Sequence, residues 1–257
     1  MLLTLSPSKI NIYLNCHKQY YFEYLDPEIA KIKKQLKKKR AVMEMGSFVH
    51  DTLTLFFKNP IEQRNWREMA EILKQVWNGP RGETYGFKSI TEEREFYNQA
   101  LKMLQWFVKN ENLKPDIFSL PVSPPGNSFD DYITIPFDKD LSLGGKIDRI
   151  DKLSNGNLEI IDYKTGKEKN DNLQLLIYVF LAEKIFAKKV ETVKYIYLKT
   201  GTRTPIEPKL SERKQVKEKI IDIAHQIQTE KDWEPNVSKL CDYCDYIDFC
   251  PAKNGKK

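Results

Sequence analysis

The chain has 257 residues, of which 40% are hydrophobic and 30% charged, and this composition excludes an intrinsically disordered protein. No apolar run approaches the roughly 20 residues needed to cross a bilayer, and the first residues lack the features of a secretory signal peptide, so we expect a cytoplasmic protein. The formal net charge of +6 is modest but unevenly distributed along the chain.

The N-terminal part carries helical signals. Ser6 followed by Pro7 is typical of a helix N-cap with proline at the first helical position. Apolar and aromatic residues then follow a helical stripe: Ile10, Tyr13, Leu14, Tyr20, Tyr21, Tyr24 and Leu25. The basic run at 31–40, with seven Lys or Arg and no acid, is predicted to interrupt the stripe. Such a run either contacts a phosphate backbone or forms a solvated loop, and the aromatics Tyr20, Tyr21 and Phe22 either guide a strand or belong to the core.

Further helices are predicted before a loop. One begins near Glu44 or Gly46, and two amphipathic helices follow at 61–77 and 91–112. The residues at 114–130 include several prolines and a glycine, which predict a loop.

Strand-like segments follow the loop. They are DYITIPF (131–137), LSLGGKIDRIDKL (141–153), NLEIIDYKT (157–165) and VKYIYLKT (193–200). Helices are predicted at 171–188 and 211–230. We therefore expect one mixed α/β domain over 1–257, with a helical part at 1–112, a core at 130–200 and a C-terminal helix with a cysteine cluster at 211–257.

A predicted hairpin brings three polar residues together. If residues 154–156, Ser-Asn-Gly, form a three-residue turn, Asp148 lies opposite Asp162. Because side chains alternate along a strand, Lys164 lies on the same face as Asp162. Asp151 and Glu159 are expected to face the other way and are left outside the site.

Two close carboxylates repel each other unless a cation lies between them. Their oxygen atoms suit Mg²⁺ or Mn²⁺, which can polarise a phosphoryl oxygen and activate a bound water. A neighbouring lysine can orient that water or stabilise developing charge. The alternative is a surface hairpin with ordinary cross-strand ion pairs.

The motifs GGKIDRID, LEIIDYKTGK and QLLIY together resemble the PD-(D/E)XK nuclease superfamily, specifically its RecB-like branch. The matching positions are Asp148, the Asp162-Tyr163-Lys164 triplet, Gln174 with Tyr178, and Gly46 with His50 in GSFVH. Gln174 and Tyr178 are spaced to share a helix face. The resemblance implies a restriction-endonuclease-like core, a small mixed sheet flanked by helices.

The resemblance also implies a role for each matching residue. His50, Asp148, Asp162 and the backbone carbonyl of Tyr163 would bind Mg²⁺ or Mn²⁺. Lys164 would position the nucleophile or stabilise the transition state. Gln174 and Tyr178 would contact DNA or order the site.

The four cysteines indicate a second metal group. Cys241, Cys244 and Cys250 form a Cys-x2-Cys-x5-Cys motif, and Cys16 lies far upstream. Thiolates in this pattern suit Zn²⁺, for which His17 or His225 could supply a fourth ligand, or a four-cysteine iron–sulfur cluster. Similarity to AddB nuclease domains and CRISPR-associated adaptation nucleases implies a [4Fe–4S] cluster on all four cysteines, which would staple the chain ends.

We therefore expect a metal-dependent deoxyribonuclease, either an exonuclease or a single-strand-specific nuclease, acting in DNA repair, recombination or CRISPR adaptation. No GxxxxGK[ST] phosphate loop is present, so any helicase motor would be a separate chain. The competing hypotheses are a non-catalytic DNA-binding or scaffolding subunit of a helicase–nuclease complex and a structure-specific endonuclease. Cleavage polarity, DNA or RNA preference, partner proteins and oligomeric state stay open.

Overall fold

The computed structural model describes residues 2–121, 132–168 and 172–255. The chain divides into two compact units. Unit 1 comprises Met1–Lys38, Pro136–Leu143 and Gln215–Lys257, and unit 2 comprises Lys39–Ile135 and Gly144–Lys214.

Most helices precede most strands along the described residues. In chain order they are β1 (Leu3–Leu5), α1 (Pro7–Asn15), α2 (His17–Tyr24), α3 (Pro27–Leu36), α4 (Ala41–Lys58), α5 (Trp66–Trp77), α6 (Ile90–Asn110), β2 (Ile117–Ser119), β3 (Ile133–Asp138), β4 (Leu141–Gly145), β5 (Arg149–Lys152), β6 (Leu158–Lys164), α7 (Leu173–Phe186), β7 (Val190–Tyr197), β8 (Thr202–Ile206) and α8 (Leu210–Thr229). The mixed α/β class, with mixed sheets and flanking helices, confirms the predicted fold class.

A five-stranded sheet forms the centre of unit 2. Its strand order is β2-β5-β6-β7-β8, and β6 and β7 run parallel while the other neighbours are antiparallel. Helix α7 connects the two parallel strands, as a crossover between parallel neighbours requires. The central strands β6 and β7 are largely buried and rich in Val, Ile and Tyr, which suits a sheet covered on both faces.

Helices α4, α5 and α6 build the main hydrophobic core of unit 2. Helix α4 buries one continuous apolar face, from Ala41 to Phe57, which packs with α5 and α6. The same core includes Ile161 and Tyr163 of β6 and Ile196 of β7. The core therefore supports both the strand that carries Asp162 and the helix that carries His50.

Unit 1 contains the ends of the chain. Strand β1 pairs in parallel with β4, in a three-stranded sheet of order β1-β4-β3. Ser6 caps α1 by accepting a hydrogen bond from the Lys9 amide, and Pro7 is its first residue, as predicted. A small cluster of Phe22, Ile29 and Tyr246 connects α2, α3 and the cysteine-rich tail.

The N-terminal stripe is not one helix. Cys16 has an extended backbone and ends α1 while capping α2. Leu14 and Leu25 are exposed at 48% and 45%, so they lie outside the core. By contrast, Tyr20 and Phe22 are buried, which makes them core residues rather than guides for a strand.

The basic run at 31–40 does not interrupt the helical region as a whole. Helix α3 includes its first six residues because Asp26 and Pro27 supply a strong N-terminal cap. Lys33 and Lys37 both pair with the buried carboxylate of Glu23. These two lysines are therefore structural, and the run is not a uniformly solvated loop.

Several predicted boundaries also change. Helix α4 begins at Ala41, before the expected Glu44 or Gly46, and the segment at 61–77 is helical as α5 only from Trp66. The segment at 141–153 is two strands in different sheets rather than one. Strand β2 lies inside the predicted loop at 114–130, part of which falls outside the described residues, and β8 was not predicted. Among the described residues, no helix is long and apolar enough to span a membrane.

Glu93 on α6 gives a stability prediction. Its buried carboxylate accepts hydrogen bonds from the Trp77 indole (2.9 Å) and from the Arg81 (2.7 Å) and Gly82 (2.9 Å) amides. Burial alone would raise the pKa of Glu93, but these hydrogen bonds outweigh it and lower the pKa. The stabilisation is therefore fully present above the ordinary carboxyl pKa and is lost as the pH falls through the lowered pKa.

We expect Glu93→Ala to lower the free energy of unfolding by about 2–3 kcal/mol at pH 7, because three donors lose a charged acceptor. Urea unfolding at neutral and acidic pH measures the free energy of unfolding of Glu93→Ala and of the wild type. The difference between the two proteins should shrink on acidification. A difference that is independent of pH would contradict the assignment.

Candidate active site

The hairpin of β5 and β6 has the register that the sequence predicted. The Leu153 amide donates to Asn157 O at 2.8 Å, and the turn between them contains Gly156 with φ +86°. Arg149 pairs with Ile161, so the same register sets Asp148, just before β5, opposite Asp162. The expected cross-strand relation of the two acidic residues is confirmed.

Asp148 is held by two different elements. Its Oδ2 accepts a hydrogen bond from the Tyr163 amide of β6 at 2.9 Å. Its Oδ1 lies 3.1 Å from Nδ1 of His50 on α4. Burial would raise the pKa of Asp148, but the His50 charge and these hydrogen bonds outweigh it and lower the pKa.

Helix α4 approaches β6 closely at Gly46. A Cβ at this position would lie 3.1 Å from Thr165 Oγ1, just after the end of β6. His50 lies one helical turn after Gly46, and this close approach of the helix brings it within reach of Asp148. Burial opposes protonation of His50, but the Asp148 carboxylate outweighs it and raises the pKa of the imidazole.

Asp162 is the buried member of the acidic pair, with 3% of its surface exposed. Its Oδ1 accepts a hydrogen bond from Gln174 Nε2 at 2.9 Å. Its Oδ2 forms an ion pair with Lys164 Nζ at 2.6 Å. Burial and the negative charge of Asp148 raise the pKa of Asp162 to about 6.

Gln174 links the remaining residues of the site. It accepts a hydrogen bond from Lys164 Nζ at 2.8 Å and donates to the Tyr178 hydroxyl at 2.8 Å. Both Gln174 and Tyr178 lie on one face of α7, as their spacing predicted. Burial, followed by the charge of Asp162, raises the pKa of Tyr178 well above its usual range, so its hydroxyl stays protonated.

The structure thus brings together all the residues proposed from the sequence for this site: His50, Asp148, Asp162, Tyr163, Lys164, Gln174 and Tyr178. Asp151 and Glu159 lie outside it, as expected. Glu159 pairs with Lys194 at 2.7 Å, and Asp151 pairs with Arg149 at 3.0 Å.

Sequence reasoning missed two groups around the site. Arg149, which is 3% exposed, donates to the Tyr163 hydroxyl at 2.7 Å and supports the strand from the face opposite Asp162. A cavity that includes His50 and Asp148 is also lined by Lys39, Arg81 and Tyr85, among other residues. Of these three lining residues, only Lys39 belongs to the basic run at 31–40. The grouping of the others could not be predicted, because their contacts join residues distant in the chain.

The four cysteines all belong to unit 1. Backbone amides of Gln19 and Asn236 each donate to the Cys16 sulfur at 3.4 Å, and the Ser238 amide donates to Cys241. Burial raises the pKa of Cys244, and the other three cysteines add to this effect electrostatically, so the thiols share one neighbourhood.

The candidate zinc ligands His17 and His225 differ in their surroundings. His17 Nδ1 lies 2.7 Å from Glu230 Oε1, and His225 is exposed on α8. Within residues 2–121, 132–168 and 172–255, no group of three or more His, Cys, Asp or Glu side chains is arranged to hold a metal ion.

A family model for the PD-(D/E)XK nuclease superfamily matches residues 4–251. The chain belongs to this superfamily. Among curated relatives, an ATP-dependent helicase/deoxyribonuclease subunit from Clostridium perfringens strain SM101 is 26% identical over 204 residues, covering 69% of this chain and 17% of the relative. The protein with the same description from Clostridium tetani is 23% identical over 205 residues, covering 69% of this chain and 17% of that relative.

A third such relative, from Streptococcus agalactiae strain A909, is 24% identical over 169 residues, covering 66% of this chain and 15% of the relative. The chain therefore spans about one sixth of the length of these relatives. The predicted likeness to helicase–nuclease subunits is confirmed at low identity. The crystal structure of SSO0001 is similar to this chain with a TM-score of 0.45 and 15% sequence identity. The match covers 97% of this chain and 86% of the SSO0001 chain.

Proposed function

We propose that this member of the PD-(D/E)XK superfamily is a Mg²⁺- or Mn²⁺-dependent deoxyribonuclease. The observation that carries the proposal is the convergence of Asp148, Asp162 and Lys164 on one hairpin, with His50 beside them. A surface hairpin with ordinary ion pairs would leave such groups hydrated. Here Asp162 is buried, and its pKa is raised to about 6.

The donor set suits a hard divalent cation. Asp148 Oδ1 and His50 Nδ1 lie 3.1 Å apart, and Asp162 Oδ2 on the neighbouring strand lies 2.6 Å from Lys164 Nζ. Holding a buried carboxylate beside a second, partly buried one is costly unless positive charge compensates them. His50, Asp148, Asp162 and the carbonyl of Tyr163 would hold the ion. When bound, it would polarise the phosphodiester and lower the pKa of a coordinated water.

Lys164 supplies a positive charge beside the two carboxylates. The Gln174 amide oxygen and the Asp162 carboxylate fix its ammonium group from two sides. A lysine held in this way can orient an attacking water or stabilise charge that develops on the phosphate.

Gln174 and Tyr178 act as positioning residues in this proposal. Gln174 bonds simultaneously to Lys164, Asp162 and Tyr178, and Tyr178 is 5% exposed. The sequence suggested two roles for these residues, direct contact with DNA and ordering of the site. The burial of Tyr178 favours the second role.

Digestion of 5′- and 3′-labelled single- and double-stranded DNA tests the activity. We expect cleavage with Mn²⁺ or Mg²⁺ and none with EDTA. Products that shorten stepwise from one end would support an exonuclease, whereas cleavage of circular single strands would indicate an endonuclease. Absence of cleavage of any DNA or RNA substrate would overturn the proposal in favour of a DNA-binding or scaffolding subunit.

We also infer a [4Fe–4S] cluster on Cys16, Cys241, Cys244 and Cys250. All four thiols belong to unit 1, and backbone N–H groups donate to the sulfur atoms of Cys16 and Cys241. Hydrogen bonds to sulfur are one way in which proteins tune such clusters. The same four thiolates would also suit Zn²⁺.

Cys16→Ser should remove the proposed cluster and destabilise unit 1, because a group bound only by the folded state contributes its binding energy to folding. Iron, sulfide and zinc contents after anaerobic purification, together with the melting temperature, measure this. The matched control is Ser8→Ala, which changes a hydroxyl on neighbouring α1. Colourless wild-type protein with stoichiometric zinc would replace the cluster by a zinc site.

The relatives suggest the biological setting. Because they are described as subunits of ATP-dependent helicase/deoxyribonucleases, we propose that the chain works on DNA with a separate helicase. CRISPR adaptation proteins are the alternative partners. The cytoplasmic location stays a prediction.

A further inference from the structure

Strand β7 adds an aromatic ring to the face of the sheet that carries Asp162. Tyr195 lies on β7, and the parallel register with β6 pairs it with Asp162. Paired residues on neighbouring strands project from the same face of a sheet. The alternation of side chains along β6 places Lys164 on that face as well, so Tyr195 belongs to the surroundings of both residues.

The ring of Tyr195 contacts the ammonium group of Lys164. Lys164 Nζ lies over this ring, 4.9 Å from its centroid. A cation within about 6 Å of an aromatic centroid is attracted by the negative face of the ring, and the attraction is stronger where water is excluded. Tyr195 is 4% exposed, so little water screens this contact.

The ring is a third contact of an ammonium group that already has two polar partners. Asp162 Oδ2 lies 2.6 Å from Lys164 Nζ, and the Gln174 amide oxygen lies 2.8 Å from it. Asp162 is also a proposed metal ligand, and an ion bound to it would draw on the carboxylate that pairs with Lys164. The Tyr195 ring is not among the proposed metal ligands, so it can hold the ammonium whether or not the ion is bound.

Burial separates Tyr195 from the substrate. Its ring is almost completely enclosed, whereas 30% of the Lys164 side chain is exposed. A nucleic-acid strand can therefore reach the lysine but not the ring behind it. Any effect of Tyr195 on cleavage must act through Lys164.

We propose that Tyr195 is a positioning residue whose ring fixes the Lys164 ammonium group for its role in cleavage. A lysine carries its charge on a flexible four-carbon stem, so the charge has a defined place only where several contacts restrain it. Small displacements of a reacting or charge-stabilising group are costly in rate. The proposal rests on the proposed nuclease function and adds a residue that acts through Lys164.

Nuclear magnetic resonance of lysine-labelled protein tests the contact without cleavage. The ε-methylene signal of Lys164, assigned as the signal missing in Lys164→Met, should show a nuclear Overhauser effect to the Tyr195 ring in the wild type. Protons over the face of a ring are shifted upfield. Tyr195→Leu should therefore move the Lys164 signal downfield, whereas Tyr195→Phe, which keeps the ring, should leave it upfield.

Cleavage kinetics in Mn²⁺ test what the contact does. Tyr195→Leu should lower kcat about tenfold through loss of the cation–aromatic attraction. Its KM for DNA should stay that of the wild type, because the buried ring does not touch the strand. Tyr195→Phe should restore most of kcat. The matched control is Tyr97→Leu, which removes a half-buried tyrosine ring packed on Trp77 and should change neither parameter.

Melting curves check that each variant folds, and the Overhauser effect in the wild type tests the contact even if Tyr195→Leu does not fold. A missing effect would overturn the contact. Equal kcat losses in Tyr195→Leu and Tyr97→Leu, or a raised KM with unchanged kcat, would overturn the positioning role. If the wild type shows the contact but cleaves no DNA, the nuclease proposal fails and the role of the ring in cleavage fails with it, while the contact stands.

Discussion

Asp162→Asn is expected to cleave DNA about a thousandfold more slowly than the wild type in Mn²⁺. The substitution preserves the size of the side chain, and an amide can still accept the hydrogen bond from Gln174. It removes the negative charge that pairs with Lys164 and would contribute to holding the cation. Loss of one preorganised group that stabilises charge commonly costs about 10²–10³ in rate, and here the charge partner of Lys164 is lost as well.

Glu159→Gln is the matched control for this experiment. Glu159 lies on the same strand as Asp162 but on the opposite face, where it pairs with Lys194. The same change of charge on β6 should therefore leave the single-turnover cleavage rate close to that of the wild type. Equal rates for Asp162→Asn and the wild type would mean that the acidic pair does not take part in cleavage.

The second large effect is expected on stability. Arg149 and Asp151 are 3% and 6% exposed, and their side chains lie 3.0 Å apart. The Arg149 guanidinium also lies over the ring of Phe57 and donates to the Tyr163 hydroxyl. Burial raises the pKa of Asp151 even though Arg149 opposes this change, which indicates that the ion pair does not fully compensate its desolvation.

Asp151→Ala should therefore lower the free energy of unfolding by about 3–5 kcal/mol, because it leaves a buried guanidinium without its carboxylate. The double variant Arg149→Met/Asp151→Leu should recover much of that loss, since it removes both buried charges. Urea unfolding measures the free energy of unfolding of the wild type, of Asp151→Ala and of the double variant. Glu159→Ala, which breaks a more exposed pair on the same sheet, should cost about 1 kcal/mol or less. A cost for Asp151→Ala no larger than that for Glu159→Ala would contradict the buried-pair interpretation.

The hairpin could be predicted because its determinants are local. The turn residues and the alternation of side chains fix the register, and the register sets Asp148 opposite Asp162. The helix positions of His50, Gln174 and Tyr178 followed from spacing in the same way. The family resemblance then supplied the order of these elements, although it could not supply their hydrogen bonds.

The missed features depend on contacts between distant parts of the chain. Arg149 and Asp151 are charged residues that would ordinarily be exposed, and only the packing of Phe57 and Tyr163 around them explains their burial. Tyr85 meets Lys39 because Gly86 permits a close backbone approach. The split of residues 141–153 into two strands arises from pairing with β1 and β6, which lie far apart in the sequence.

Calorimetric titration of Mn²⁺ into the full chain tests the central claim most directly, because the claim is that the acidic pair holds the ion required for cleavage. We predict saturable binding to the wild type and to Glu159→Gln, and loss of that binding in both Asp148→Asn and Asp162→Asn. Melting curves would confirm that the variants are folded. Saturable binding that persists unchanged in both aspartate variants, or no binding to the wild type, would contradict the account.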